Sequence, residues 1–220
     1  MTNDSGTTAQ ATTTSTPKRN GKFIRDLVII LLVALVIAFF VKTFLVRSFY
    51  IPSGSMENTL QIDDRVIVDE LVPKVIPLKH GDVVVFTDPG GWLTASEGSG
   101  SDHLIKRVIG LPGDTVACCN AAGDMMVNGV PLKEPYTSLG YEKDASGITF
   151  DVTVPANSLW VMGDNRYDSE DSRYHQNDPT HGFVPMSDVT GRAVLISWPI
   201  SRWTWLGDYP NVFAGVERKK

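Results

Sequence analysis

The strongest constraint on this chain is an apolar segment near its N-terminus, where fifteen apolar residues follow one another over residues 27–41. Only Lys42 and Thr43 interrupt the segment before it ends at Val46, after twenty residues in all. This length matches the ~20 residues that a helix needs to cross a ~30 Å hydrocarbon layer, provided that Lys42 extends its ammonium group to the interface. The sequence therefore predicts a single transmembrane helix over residues 23–46.

Two other kinds of segment share some of these features. A cleaved secretory signal also has a basic start and an apolar stretch, but the residues that follow, Val41-Lys42-Thr43-Phe44, offer no small-x-small cleavage site. A buried core helix is the other alternative, but a helix that is apolar on every face and has a basic flank fits it poorly. An uncleaved membrane anchor is the interpretation that fits both observations.

The flanks of the apolar segment predict its orientation, because positive residues collect on the cytoplasmic side of a membrane. We therefore expect the N-terminus in the cytoplasm and an extracytoplasmic domain over residues 47–220. Residues 1–22 are rich in Thr and Ser and poor in apolar side chains, which predicts a disordered cytoplasmic tail. The basic residues are Lys18, Arg19, Lys22 and Arg25 before the segment, and Lys42 and Arg47 near its far end.

The part of the chain beyond the apolar segment is acidic, with a formal charge of about −8 from fifteen basic and twenty-three acidic residues. Nucleic-acid binding requires a basic surface, so nucleic acid is excluded as a partner. The two cysteines, Cys118 and Cys119, are adjacent and lack the spacing of a metal site. They are compatible with a vicinal disulfide, with pairing between molecules, or with reduced thiols.

Short runs rich in Val and Ile recur between Gly, Pro, Asn and Asp. They predict a mainly β protein, in which an all-β domain of antiparallel sheets follows the helix. The Asn128-Gly129 pair fits the two positive φ angles of a type I′ turn and predicts a hairpin. Segments 89–102 and 133–147 are predicted to be loops, and a smaller inserted β lobe is expected at about residues 116–155. The predicted strands are 65–68, 83–86, 104–109, 150–154, 159–162 and 193–198.

A candidate catalytic motif, Pro52-Ser53-Gly54-Ser55, lies a few residues beyond the apolar segment. Proline restricts the residue before it to extended geometry, and glycine allows the backbone to approach a partner closely. A turn of this kind exposes a hydroxyl and a backbone N–H to a substrate carbonyl, as an oxyanion site requires. An ordinary Ser/Gly connector has the same composition, so the motif needs support from elsewhere in the chain.

Lys106 is the candidate base for such a serine. Burial disfavours a charged ammonium, so a lysine between apolar neighbours can be neutral enough to take a proton, whereas an arginine there keeps its own. A lysine at a sheet edge would instead extend its charge into water. The predicted strand places Leu104, Lys106 and Val108 on one face and Ile105, Arg107 and Ile109 on the other.

A dense polar run at residues 163–173 directly follows the predicted strand 159–162. Its hydroxyls, carboxylates and guanidinium groups are able to orient a lysine through charge-assisted hydrogen bonds. A solvated loop would have a similar composition. The run is therefore a candidate support for the catalytic residues, with its role open at this point.

Four motifs occur in order after a single apolar segment: Pro52-Ser53-Gly54-Ser55-Met56, His80-Gly81-Asp82-Val83-Val84-Val85-Phe86, Ile105-Lys106-Arg107-Val108-Ile109-Gly110-Leu111-Pro112-Gly113-Asp114, and Gly163-Asp164-Asn165-Arg166 with Ser169, Asp171, Ser172 and Arg173. Together they resemble the type I bacterial signal peptidases. That family consists of membrane-anchored Ser/Lys endopeptidases that remove signal peptides from exported preproteins. The resemblance covers most of residues 23–206.

The resemblance implies Ser55 as the nucleophile and Lys106 as the general base. It also implies that Ser169 holds the lysine through a hydrogen bond, and that Ser53 joins the backbone N–H of Ser55 in the oxyanion site. Asp171 and Arg173 would support the loop structurally, and Phe49, Ile51 and Ile105 would wall shallow pockets for the small substrate residues at positions −1 and −3.

The same resemblance implies no cofactor and no metal. Its expected partners are preproteins with signal peptides and membrane lipid, with secretion machinery nearby. Two positions depart from the family pattern, since Asn58 stands where a proline is usual and Tyr167-Asp168 replaces a more frequent Asp-Asn pair. These departures concern loop detail and leave the proposed dyad intact.

Three other functions are open on the sequence. One is a non-catalytic membrane-anchored β-domain that binds envelope partners. Another is a metal site built from His175, His181 and Asp178, residues that a surface loop also commonly carries. The third is a Ser/His/Asp triad in which Ser55 acts with one of the four histidines, His80, His103, His175 or His181.

Overall fold

The computed structural model describes residues 21–44, 46–93 and 102–217, and within the first of these ranges it describes side chains from residue 22 to residue 39. The predicted disordered tail lies outside the described residues except for residues 21 and 22, which belong to the first helix. The middle of the predicted loop 89–102 also lies outside them.

Helix α1 spans Gly21–Phe44, a length of 24 residues. Beyond Asp26 its described side chains are all apolar, and the large ones among them are exposed. In the part of the chain that the structure describes, no helix combines the length and the hydropathy needed to cross a membrane. The predicted transmembrane helix stays a prediction.

A large antiparallel sheet contains eight of the strands in the described residues. They are β1 (Val46–Tyr50), β2 (Arg65–Asp69), β3 (Val83–Thr87), β4 (His103–Gly110), β9 (Ser158–Met162), β10 (Val184–Pro185), β11 (Val189–Trp198) and β12 (Thr204–Trp205). Their order is β1-β2-β11-β3-β4-β9-β10, and β12 pairs with β11. Two 3₁₀ turns, Met186–Asp188 and Ile200–Arg202, precede and follow β11.

Four further strands lie between β4 and β9 in sequence and form a second antiparallel sheet: β5 (Thr115–Cys118), β6 (Met126–Val127), β7 (Val130–Pro131) and β8 (Phe150–Thr153). Asn128 and Gly129 join β6 to β7 with φ angles of 51° and 78°, the two positive values that a type I′ hairpin needs. At the end of β5, Cys118 and Cys119 are joined by a disulfide.

Strand β4 is central to the packing because nearly its whole length is buried on both faces. Leu104 and Val108 pack into one apolar cluster with side chains of β3, while Ile105 belongs to a second cluster on the other face. Each fully buried aliphatic side chain of this kind stabilises the fold by roughly 1.5–3 kcal/mol. A cation placed on β4 is therefore inside the protein and needs a polar partner.

The prediction of a mainly β, antiparallel domain is confirmed. Each of the six predicted strands overlaps an observed strand, and the predicted Asn-Gly hairpin is present. Strand β1 was not predicted, because its residues follow directly on the apolar segment and lack a regular alternation of polar and apolar side chains. This strand positions the candidate nucleophile, which lies in the turn after it.

Candidate active site

The Ser53-Gly54-Ser55 turn follows β1 and is fastened to the protein interior on both sides. Before it, Ile51 N–H donates to Asp64 O at 2.9 Å, and after it Leu60 N–H donates to Met56 O at 2.8 Å. The side chains of Ile51, Met56 and Leu60 pack into the same apolar cluster. Buried anchors at both ends thus fix a short polar turn, in which Ser55 is 7% exposed.

Lys106 reaches this turn from the middle of β4. It pairs across the sheet with Val84 of β3 and is 4% exposed. Its Nζ donates to Ser55 Oγ at 2.7 Å, although the two residues lie 51 positions apart in the sequence. A serine hydroxyl in direct contact with a buried amine is the arrangement that proton abstraction from serine requires.

Ser55 and Lys106 lie on the wall of a cleft of about 420 Å³, a volume in the range of small-molecule sites. Three other residues predicted for the site, Ser53, Ile105 and Ser169, line the same cleft. Its wall also contains aromatic and acidic side chains to which the sequence interpretation gave no individual role: Trp92, Tyr167, Tyr174, Asp168 and Glu170.

Ser53 lies beside the candidate nucleophile, with its Oγ 3.4 Å from Ser55 Oγ. The residue is half-buried, so its hydroxyl is close to the reacting oxygen and still open to the cleft. A second hydroxyl at this distance is a suitable donor for negative charge that develops on a bound carbonyl oxygen.

The three predicted pocket walls occupy different places. Ile105 lines the cleft. Ile51 is 2% exposed and packs in the core below the turn, while the Phe49 ring contacts the His103 ring edge-on at 5.2 Å. Contact with the substrate positions −1 and −3 stays a prediction for all three residues.

The 163–173 loop carries a buried ion pair next to the cleft. Arg173 Nε donates to Asp171 Oδ1 at 2.8 Å and its Nη2 donates to Asp171 Oδ2 at 2.7 Å, with both side chains fully buried. Asp171 Oδ2 also accepts from Gly163 N–H and from Ser169 Oγ, each at 2.9 Å. Because the Ser169 hydroxyl donates its hydrogen bond to Asp171, it can interact with other groups only as an acceptor, through its lone pairs.

Burial by itself would raise the pKa of Asp171, since it removes the carboxylate from water. The charge of Arg173, its hydrogen bonds, the Gly163 N–H and, as the smallest contribution, the nearby Lys106 outweigh that effect and hold the pKa of Asp171 below its ordinary value. Asp171 is therefore an anion whose charge is balanced by a permanently charged guanidinium.

Two further buried ion pairs support the same loop, and the sequence interpretation assigned no partner to either. Arg107, next to Lys106 on β4, forms a double hydrogen bond with Asp164, at 2.8 Å from Nε and 2.6 Å from Nη2. Arg166 binds both oxygens of Glu134 at 2.7 Å. A dense run of charges in sequence is the signal for such pairs, but the partners are too distant along the chain to be identified from it.

Gly163 brings the 163–173 loop against the Ser53-Gly54-Ser55 turn, which we call the nucleophile turn. A Cβ atom built at this position would lie 2.4 Å from Ser55 O and 2.2 Å from Ser169 Oγ, well inside van der Waals contact. The residue directly after the buried strand β9 therefore has to lack a side chain, which explains a glycine at this point of the motif.

The histidines have other partners than the candidate nucleophile. His80 Nε2 and Asp114 Oδ2 are 2.7 Å apart, and the His175 ring stacks on Trp92 with a centroid separation of 4.6 Å. In the described part of the chain, Ser55 Oγ is hydrogen-bonded to Lys106 and Ser53 and not to a histidine. No group of acidic, His or Cys side chains among the described residues has the arrangement of a metal site.

Comparison with known proteins gives consistent matches over most of the chain. The model of the family described as signal peptidase, peptidase S26, matches residues 24–198. A probable signal peptidase I of Mycobacterium leprae is 35% identical, over 88% of this chain and 82% of that protein. A signal peptidase I of Leptolyngbya laminosa is 38% identical, over 81% of each chain.

Among solved structures, a signal peptidase I from Enterococcus faecalis aligns with a TM-score of 0.40 and 29% sequence identity. The alignment covers 52% of this chain and 95% of that one.

Proposed function

Because the chain belongs to the signal peptidase family, peptidase S26, we propose that it removes signal peptides from exported preproteins with Ser55 as nucleophile and Lys106 as general base. Cleavage would follow small-x-small sequences. The observation that carries the proposal is the 2.7 Å contact between Lys106 Nζ and Ser55 Oγ in the wall of a cleft. The assignment of the dyad rests on this geometry together with family membership.

The first half of the reaction is acylation. A neutral Lys106 takes the Ser55 proton as the hydroxyl oxygen attacks the scissile carbonyl carbon, and the electron pair of the carbonyl bond moves to oxygen. The Ser55 N–H and the Ser53 hydroxyl stabilise that oxyanion. As the C–N bond breaks, the Lys106 ammonium returns the proton to the leaving amine, which becomes the N-terminus of the mature protein.

The second half is deacylation. Lys106 takes a proton from water, the hydroxide attacks the ester carbonyl of the acyl-enzyme, and Ser55 leaves with the proton that Lys106 returns. The signal peptide departs with a new carboxylate. Each cycle consumes one water molecule and restores both residues, so no cofactor or metal is required.

A buried carboxylate, that of Asp171, acts on Lys106, and its charge is largely balanced by another group. A buried carboxylate beside a lysine would hold the lysine protonated. Here the Asp171 carboxylate is bound through both oxygens by Arg173, which balances its charge within 2.8 Å. Ser169, which donates to Asp171, presents only lone pairs to a neighbouring amine and can orient it by accepting a hydrogen bond.

Membrane attachment is the remaining part of the proposal. We place α1 in the cell membrane as a single pass, with the N-terminus in the cytoplasm and the peptidase domain on the outer side, because the apolar run and the basic flank favour that orientation. Tethering would hold the cleft where a membrane-embedded signal peptide emerges and raise the effective substrate concentration. Membrane lipid, preproteins and nearby secretion machinery are the partners that follow.

The test uses the full-length protein in detergent with a preprotein that carries an Ala-x-Ala site. Wild type is compared with Ser55→Ala and Lys106→Met, and with the matched exposed controls Ser187→Ala and Lys74→Met. We expect cleavage after the second alanine, identified by sequencing the new N-terminus, in wild type and both controls but in neither dyad variant. Cleavage by Ser55→Ala or Lys106→Met at the control rate would refute the dyad.

A further inference from the structure

The nucleophile turn is held by one residue of the 163–173 loop on both sides of the Ser55 Cα. The backbone N–H of Asn165 donates to Ser55 O at 3.1 Å, and its side-chain Nδ2 donates to Gly54 O at 3.1 Å. These two carbonyls belong to the peptide groups that precede and follow the Ser55 Cα. Asn165 therefore fixes both peptide planes adjacent to the candidate nucleophile.

The first of these planes carries the donor that an oxyanion site needs. A trans peptide is planar, and its C=O and N–H point in opposite directions. The Gly54–Ser55 peptide is trans, so holding Gly54 O towards Asn165 turns the Ser55 N–H away from the 163–173 loop. Among the hydrogen bonds of the described residues, none uses the Ser55 N–H as its donor, and this group stays available for a substrate oxygen.

Gly54 O has a second donor, the Glu57 N–H at 2.9 Å, which closes the turn locally. A carbonyl oxygen has two lone pairs, and the two donors use both. The Glu57 contact sets the shape of the turn, whereas the Asn165 contact ties the turn to a separate part of the fold. Only the second can fix the orientation of the Ser55 N–H relative to the cleft and to Lys106.

Asn165 is itself held firmly by its backbone. Ser138 N–H donates to Asp164 O at 2.7 Å, and Arg166 N–H donates to Ser138 O at 3.0 Å, so a backbone bridge encloses Asn165 from both sides. The neighbouring Asp164 side chain is locked by Arg107. Because its own backbone is held in place, the Asn165 side chain can hold Gly54 O in a fixed position.

We propose that Asn165 is a positioning residue for the oxyanion site, in which its side-chain amide orients the Ser55 N–H through Gly54 O. The proposal deepens the Ser/Lys peptidase function and rests on it. An oxyanion donor acts on the tetrahedral state and little on the bound substrate, so a misoriented donor lowers kcat and leaves KM nearly unchanged.

The test compares Asn165→Asp and Asn165→Ala with wild type. The first keeps the shape of the side chain and replaces the donor by an acceptor, and the second removes the amide without adding charge. The matched control is Asn58→Asp, because the Asn58 amide also donates to backbone carbonyls, Tyr136 O at 3.1 Å and Thr137 O at 3.3 Å, away from the nucleophile.

We expect kcat to fall by about tenfold or more in both Asn165 variants, since complete loss of one oxyanion donor costs about 10²–10³-fold. KM should stay within about twofold of wild type, and the affinity for a peptide aldehyde, which forms a tetrahedral adduct with serine, should fall in parallel with kcat/KM. Asn58→Asp should keep wild-type values of all three.

Three results would overturn the proposal: unchanged kcat in the Asn165 variants, a loss confined to KM, or a loss of kcat that follows a drop in the thermal unfolding midpoint in both of them. The last result would indicate a purely structural role. Failure of the peptidase function itself is recognised separately, because wild type would then leave the Ala-x-Ala preprotein intact.

Discussion

Adjacent residues on β4, Lys106 and Arg107, show two ways of burying a cation. Arg107 is fully buried, binds both oxygens of Asp164 and lies over the Tyr136 ring at 4.1 Å. Lys106 points to the opposite face, lies in a cleft wall and contacts the neutral hydroxyl of Ser55. The charge of Arg107 is permanent and compensated, whereas an amine facing a hydroxyl can exchange a proton with it.

The difference follows from the chemistry of the two groups. A guanidinium keeps its proton in proteins and offers a planar fork that fits a carboxylate, so it suits a fixed structural pair. An ammonium is a compact charge whose pKa responds to burial, so it suits proton transfer. If Lys106 is the base that we propose, β4 places a structural cation and a reactive cation on its two alternating faces.

The largest expected effect comes from replacing Lys106 by the kind of cation found at position 107, an arginine. In Lys106→Arg the cation can no longer lose its proton, so we expect kcat for preprotein cleavage to fall by about 10⁴-fold or more, as when a catalytic triad loses its base. Single-turnover cleavage with excess enzyme measures this loss. Lys74→Arg, at an exposed site, is the control, and a Lys106→Arg protein with more than about a tenth of wild-type activity would contradict the distinction.

The next largest effect is expected from removing the buried guanidinium of Arg107. Arg107→Met leaves the Asp164 carboxylate buried without its guanidinium, which should lower the free energy of unfolding by about 3–5 kcal/mol in urea denaturation. Arg47→Met is the matched control, because Arg47 pairs with Glu70 at the surface and such pairs contribute only about 0–1 kcal/mol. Equal losses in the two variants would mean that the buried pair has no special weight.

The smallest expected effect is that of pH. Lowering the pH should separate the role of Lys106 in catalysis from the role of the buried carboxylates in stability, without any mutation. Activity should fall as the pH is lowered, along a curve governed by one group, because protonated Lys106 cannot act as base. The folded-state pKa of Asp171 lies below the unfolded value of 3.8, so the stability from this carboxylate is present above that value and is lost as the pH falls through the folded pKa.

Parallel measurements of cleavage rate and unfolding free energy should therefore show inactivation at a higher pH than destabilisation. Superimposed curves would indicate that acid inactivation is unfolding. A flat activity profile from mildly acid to alkaline pH would argue against Lys106 as the base.

Local pattern was enough to locate most of the large sheet. Five apolar runs overlap strands of the large sheet and a sixth overlaps β8 of the smaller sheet, and Asn128-Gly129 forms its hairpin, because alternation and turn chemistry act over a few residues. The family resemblance identified Ser55 and Lys106, which the fold brings within 2.7 Å. Alternation also placed Lys106 and Arg107 on opposite faces correctly.

What the sequence did not reveal depends on long-range pairing. Asp164 lies 57 residues from Arg107, and Asn165 lies 111 residues from Gly54, so no local rule connects them. A charged run such as 163–173 reads equally well as a solvated loop or as a set of buried pairs. The tertiary fold decides in favour of buried pairs, because it brings Arg107 to Asp164 and Glu134 to Arg166.

The close approach at Gly163 has a consequence for how this site can vary. The φ angle there is not in the left-handed region, so the backbone alone would accept other residues. The space for a methyl group is already taken by Ser55 O and Ser169 Oγ, so the Ser53-Gly54-Ser55 turn and the 163–173 loop leave no gap between them. In a mutational scan this position should therefore tolerate nothing but glycine. Residues around the site can be exchanged over evolution, whereas the one at position 163 cannot.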